Sequence, residues 1–204
     1  MTVELLERAL GYTRVALVGV RPGDLHRPTP CAGWDLDALL DHMHDALDAF
    51  TEGAHGAIAL TPPARALDVR LGALQATACA LLGAWSGARP PATVTMGGVV
   101  VPTGVVVRAA ALEIATHGWD VACATGRPVP IPDALAVELL RAAGELIADA
   151  DRPTRFAPAL DAAPGASAAD RLLGYLGRAP DQTGMTGPLR HTSPVRQTRE
   201  RPAS

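Results

Sequence analysis

At 204 residues and 21.1 kDa the chain has the length of one ordinary domain and can bury a core without disulfide staples. Apolar residues make up 48% of it and aromatic residues only 3%, a balance that favours helices packed through Ala, Leu and other small or aliphatic side chains. The formal charge of −3 and the pI near 6.0 provide no broad basic face, which argues against a nucleic-acid partner.

In chain order, Leu5, Leu6, Ala9, Leu10, Thr13 and Val15 recur near helical spacing and predict a first helix over 3–18. Glu4 and Glu7 among its first residues spoil a signal peptide, and no apolar run reaches the roughly 18 residues of a membrane span. A cytoplasmic protein with no membrane partner is the expectation. The breakers Pro22, Gly23, Pro28, Pro30 and Gly33 mark a loop. Asp35 then offers an N-cap or an acidic first turn to a second helix, ending near Glu52, with Leu36, Leu39, Leu40, Met43, Leu47 and Phe50 on one stripe.

A third helix is predicted over 65–84 on Leu67, Val69, Leu71, Leu74, Ala78, Leu81 and Leu82. Two β-branched runs around Gly97-Gly98, at 92–96 and 99–101, predict a small hairpin. A fourth helix starts at Pro102 and stops at Thr125-Gly126, where Gly suits a C-terminal cap. Asp133 caps a fifth, and Ala168–Leu176 forms a last short one. From Gly184 onward there is almost nothing apolar to bury, so 1–180 is expected to be the folded unit and 181–204 a disordered tail.

All 18 basic residues are Arg, and Lys and Asn are absent, a bias that points to GC-rich coding DNA. Cys31, Cys79 and Cys123 have no paired spacing, which favours reduced thiols over a disulfide framework or a zinc ribbon. Among the six histidines, His42 sits at the edge of the second helix's buried stripe, whereas His44 is turned toward water. On the fourth helix Glu113 and His117 are four apart and share a face. Two imidazoles and a carboxylate on facing helices can make an open three-ligand metal site, for which zinc is the best match, with nickel or iron as alternatives.

The segment from Pro28 through Trp34 to His42 resembles the first metal motif of the DinB-like superfamily, in its mycothiol-dependent maleylpyruvate isomerase branch. The stretch from Glu113 through His117, Trp119 and Asp120 to Gly126 is similar to the branch's second motif. Asp170–Arg178 resembles the C-terminus of a short actinobacterial subgroup described as metal-binding. The resemblance spans about residues 3–180. It implies a mainly α, four-helix bundle with a small hairpin and a short C-terminal helix, and a divalent ion, zinc by preference, on His42, Glu113 and His117. It also implies a metal-dependent thiol transferase or isomerase, in which a mycothiol-type thiolate attacks a small electrophile. Glu113 places the chain with this branch rather than with those using three His ligands. The isomerase proper has an additional C-terminal domain, so its substrate residues are not carried over.

Two other readings use the same residues: a metal-binding protein without catalysis, and a natural-product biosynthetic enzyme reusing the cavity. The oligomeric state stays open, a homodimer included. Trp34 and Trp119 either line a cavity over the metal or fill the core, the core reading being favoured. Cys31, just before the second helix, is either a reactive thiol near that helix's positive end or a small buried hydrophobe, the second reading being favoured. Asp120 either orients a ligand through its second nitrogen or is a surface or capping residue.

Overall fold

The computed structural model describes residues 2–54, 67–86, 91–96, 98–127 and 129–179. The predicted tail 181–204, the start of the third helix at Arg65 and the first turn glycine, Gly97, lie outside them. Within them α1 (Thr2–Val18), α2 (Leu36–Ala54), α3 (Leu67–Trp85) and α4 (Thr103–Thr125) form the expected bundle. Strands β1 (Thr93–Met96) and β2 (Val99–Pro102) pair antiparallel between α3 and α4. After the bundle come α5 (Asp133–Leu146), a single turn α6 (Arg152–Arg155) and α7 (Ala168–Tyr175).

The centre of the bundle is α4, whose residues from Ala110 to Ala122 are nearly all buried. Small side chains make that depth feasible: Gly118 lies so close to α1 that a Cβ there would clash with Thr13, whose Oγ1 donates to the Ile114 carbonyl at 2.8 Å. Tyr12 extends this seam by donating to the Val129 carbonyl at 2.7 Å. Gly126, in the left-handed region at φ 68°, ends α4 as its residue type predicts. Leu135 and Leu139 of α5 and Leu172 and Leu173 of α7 join the same core.

Several elements depart from the sequence expectations. Val15 is exposed, while Ala16 and Leu17 turn inward. Val69 is also exposed, and α3 buries only Leu74, Leu81 and Trp85. Its apolar residues are spread around the helix rather than set on one stripe, so periodicity could not find the buried face. By length and composition α3 is the one described helix apolar enough to cross a membrane, although Asp68, Arg70 and Gln75 interrupt its apolar run. It packs against α2, where Arg70 forms ion pairs with Asp37 and Asp41. His44 is half-buried rather than facing water, 3.5 Å from Asp48. Pro102 closes β2 and precedes α4 instead of opening it. Pro132, not Asp133, precedes α5, and the Asp133 carboxylate instead accepts from the backbone N–H of Ala169 at the start of α7.

Candidate metal centre

His42 comes from α2 and Glu113 and His117 from α4. Asp35 fixes the start of α2 by accepting from the Ala38 N–H at 2.9 Å, an N-cap that sets the rotation of the helix and so of His42. The four-residue spacing on α4 puts Glu113 and His117 one turn apart on one face. The three side chains converge: His42 Nε2 is 2.7 Å and His117 Nε2 3.0 Å from the same oxygen, Glu113 Oε1. One donor atom from each lies within 4.8 Å of the others.

His117 is held from behind by a network that local spacing could not reveal. Its Nδ1 is 2.9 Å from Asp120 Oδ2, and Asp120 has no exposed surface. Arg178, just after α7, grips that carboxylate with two bonds of 2.8 Å, Nε to Oδ1 and Nη2 to Oδ2. Cys31 Sγ donates to Asp120 Oδ2 at 3.2 Å and lies 3.8 Å from His117 Nδ1. Cys31 is therefore a half-buried member of a polar cluster, not the buried hydrophobe expected. Asp120 is thus a buried partner of His117 Nδ1 and not a surface residue. Sequence reading missed Arg178 because 58 residues separate it from Asp120.

The loop before α2 brings Cys31 and Trp34 to the site. It turns at Gly33, φ 83°, where Thr29 Oγ1 donates to the Trp34 carbonyl at 2.9 Å. The Trp34 ring stands over His42, centroids 4.7 Å apart, and is 37% exposed. It lies beside the candidate ligands rather than in the core. Trp119 is 3% exposed and fills the core, as the favoured reading has it, whereas Trp34 packs on the His42 ring.

The electrostatics of the cluster suit a cation. Burial opposes charge on Glu113, yet hydrogen bonds and charge from His117 and His42 hold its carboxyl well below the usual range. Burial likewise opposes charge on His117, but Asp120, Cys31 and Glu113 raise its pKa well above the ordinary imidazole value. Burial would also lift Asp120; Arg178 first, then His117, hold it at about 2. A carboxylate thus faces each ring nitrogen of His117, Asp120 at Nδ1 and Glu113 at Nε2. Those carboxylates create a negative potential that attracts positive charge at its Nε2.

Cys31, His117 and Asp120 form a second compact donor set. Arg178 already supplies the cation there, its Nη2 3.4 Å from Cys31 Sγ. A divalent ion is disfavoured on that side of the ring and favoured on the other. His42, Glu113 and His117 supply two nitrogens and one oxygen, a set that fits a divalent ion with an open position. With Asp120 at Nδ1, the nitrogen of His117 that faces the other two donors is Nε2.

Residues 6–122 match the family model for the mycothiol maleylpyruvate isomerase N-terminal domain. Two uncharacterised Mycobacterium tuberculosis proteins, from strains H37Rv and CDC 1551, are each 32% identical over 177 residues, covering 84% of this chain and 94% of theirs. Among solved structures, a mycothiol-dependent maleylpyruvate isomerase superposes with a TM-score of 0.53 at 17% identity. A point mutant of that enzyme gives 0.51 at 16%. Each superposition covers 69% of this chain and 65% of the other, so this chain spans about two thirds of the length of those structures. At that identity the likeness shows a shared fold.

Proposed function

The chain belongs to the mycothiol maleylpyruvate isomerase N-terminal domain family, and on that premise we propose that it is a metal-dependent thiol transferase or isomerase acting on a small electrophile. The observation that carries this reading is the convergence of His42, Glu113 and His117 on one point, with Asp120 and Arg178 fixing the orientation of His117. Zinc suits the two nitrogens and one oxygen, and mycothiol is the thiol the family points to. A divalent ion bound there would supply Lewis acidity that makes a thiolate available at neutral pH.

The protein's own residues hold and orient rather than react. Asp120 keeps the proton on His117 Nδ1 and thereby leaves Nε2 for a ligand bond. Glu113 contributes one negative charge between the two rings. Cys31 is tied to Asp120 and Arg178, which leaves the nucleophile to come from the co-substrate. On an activated alkene, sulfur forms a C–S bond while the π pair moves onto the electron-withdrawing group. Rotation followed by loss of the thiolate gives isomerisation; capture of a proton at carbon gives net transfer.

The test is zinc analysis of the purified protein combined with thiol-conjugation assays of wild type, His42→Ala and His117→Ala. The expected result is one zinc per chain, with binding and turnover both lost in each variant. Equal turnover in metal-free protein overturns the reading. Zinc binding without turnover on any thiol and electrophile pair replaces it with a storage or sensing role.

A further inference from the structure

Behind the donors the bundle is not filled. A cavity of about 600 Å³ runs along the seam between α1 and α3, and Glu113, Ile114 and His117 line its inner end. Its walls are buried and apolar, formed by Leu17, Met43, Leu47 and Leu74. At the mouth stand the exposed residues Glu7, Arg14, Gln75 and Cys79. The α1 wall is low at Gly11, where an added Cβ would meet nothing within 4 Å.

A cleft of this size, open to solvent on one side, matches pockets that take up a small organic molecule. Its polar lining is the donors at the inner end, Thr13, whose hydroxyl is bonded to the Ile114 carbonyl, and Glu7, Arg14, Gln75 and Cys79 at the mouth. Between them a ligand meets Leu, Met and Ile side chains. A compact dicarboxylate held midway, between Arg14 and the donors, would lose its hydration against Leu17, Met43, Leu47 and Leu74, which is unfavourable. A molecule with a reactive polar head and an apolar body is matched at every point.

We propose that this cavity is the electrophile's pocket and that the electrophile carries an extended apolar group, its activated alkene or epoxide directed at Glu113 and His117. The inference rests on the functional reading above and narrows its substrate class. The head lies at the donors, the body displaces water from the α1–α3 seam, and chain length sets affinity.

The test uses n-alkanols from butanol to decanol as unreactive probes of the apolar body, titrated calorimetrically into the full chain with and without zinc. Affinity is expected to rise about three- to fourfold per methylene until the cavity is full, and maleate is expected to show no binding in the walls. Gly11→Phe and Ala78→Trp, which place a ring in the cavity from opposite walls, should each weaken decanol binding at least about tenfold. Zinc content should not change in either. A flat chain-length series, or decanol binding unaltered in both variants, overturns the proposal. If zinc binds and the series is flat, this inference fails and the metal reading stands. If zinc does not bind and the series is steep in the zinc-free protein, the metal reading fails and the apolar pocket stands.

Discussion

Asp120 is a carboxylate with no exposed surface, and its charge is tolerable there because Arg178 bonds both of its oxygens. Removing one partner of a buried pair leaves the other charge uncompensated, so Arg178→Ala should lose about 3–5 kcal/mol in urea unfolding. The same variant should bind zinc about 10–100-fold more weakly, because His117 loses the support that fixes its ring. Zinc affinity equal to wild type in a folded Arg178→Ala protein would remove the network from the site. Cys123 lies in the same field: burial first and Asp120 second push its thiol from 9.0 up to about 12, with Arg178 opposing. Because the folded state keeps a proton that the unfolded chain gives up, this contribution is full below about pH 9 and is lost as the pH rises toward 12. Iodoacetamide at about pH 8 should therefore label exposed Cys79 first and Cys123 last, with mass spectrometry reading the order. The convergence of His42, Glu113 and His117 was legible because helix periodicity assigns faces and two of the three share one turn. Arg178 was not legible, since nothing local in Arg171–Arg178 indicates that α7 delivers its last arginine to α4.

At the scale of elements, the close approach of α1 and α4 fixes the depth of the site. Thr13 and Gly118 meet where the helices cross, and a methyl group at 118 would lie within contact of Thr13 Oγ1 and 3.1 Å from its Cα. That second atom is backbone and cannot rotate away, so Gly118→Ala should cost about 1–3 kcal/mol in chemical denaturation despite better helix propensity. Gly11→Ala, seven residues up the sequence on α1 from Val18, meets nothing within 4 Å and should instead stabilise by about 0.5–1 kcal/mol. If both substitutions shift stability the same way, propensity rather than packing governs the seam. The helices themselves were readable where one face is apolar: α2 buries five of the six stripe positions expected of it, and Phe50 packs half-buried against the core. On α3 the reading failed because the helix is apolar on most sides, and which of those sides is buried is decided by α2 and by the ion pairs of Arg70. The start of α5 failed for a different reason. Asp133 has the chemistry of a cap, but its carboxylate accepts from the first turn of α7, a long-range partner that no local motif encodes.

At the scale of the molecule, the donor cluster joins two helices distant in sequence, and an element after the matched family segment completes it. The family model matches residues 6–122, which contain His42, Glu113, His117 and Asp120, while Arg178 lies past α7. A divalent ion on the three donors would tie α2 to α4 across the bundle, and its binding energy would count toward folding because the unfolded chain presents no preformed site. With free zinc at a hundredfold over Kd the gain is about 2.7 kcal/mol. In a domain of this length that corresponds to roughly 5–10 °C in Tm. Scanning calorimetry before and after chelation should show that loss, and added zinc should restore it. His42→Ala should give the same Tm with and without zinc, since α2 then has no ligand in the cluster. A wild-type Tm indifferent to chelator, in protein shown by analysis to have carried zinc, would mean that the ion sits elsewhere and that His42, Glu113 and His117 are joined by their protons alone.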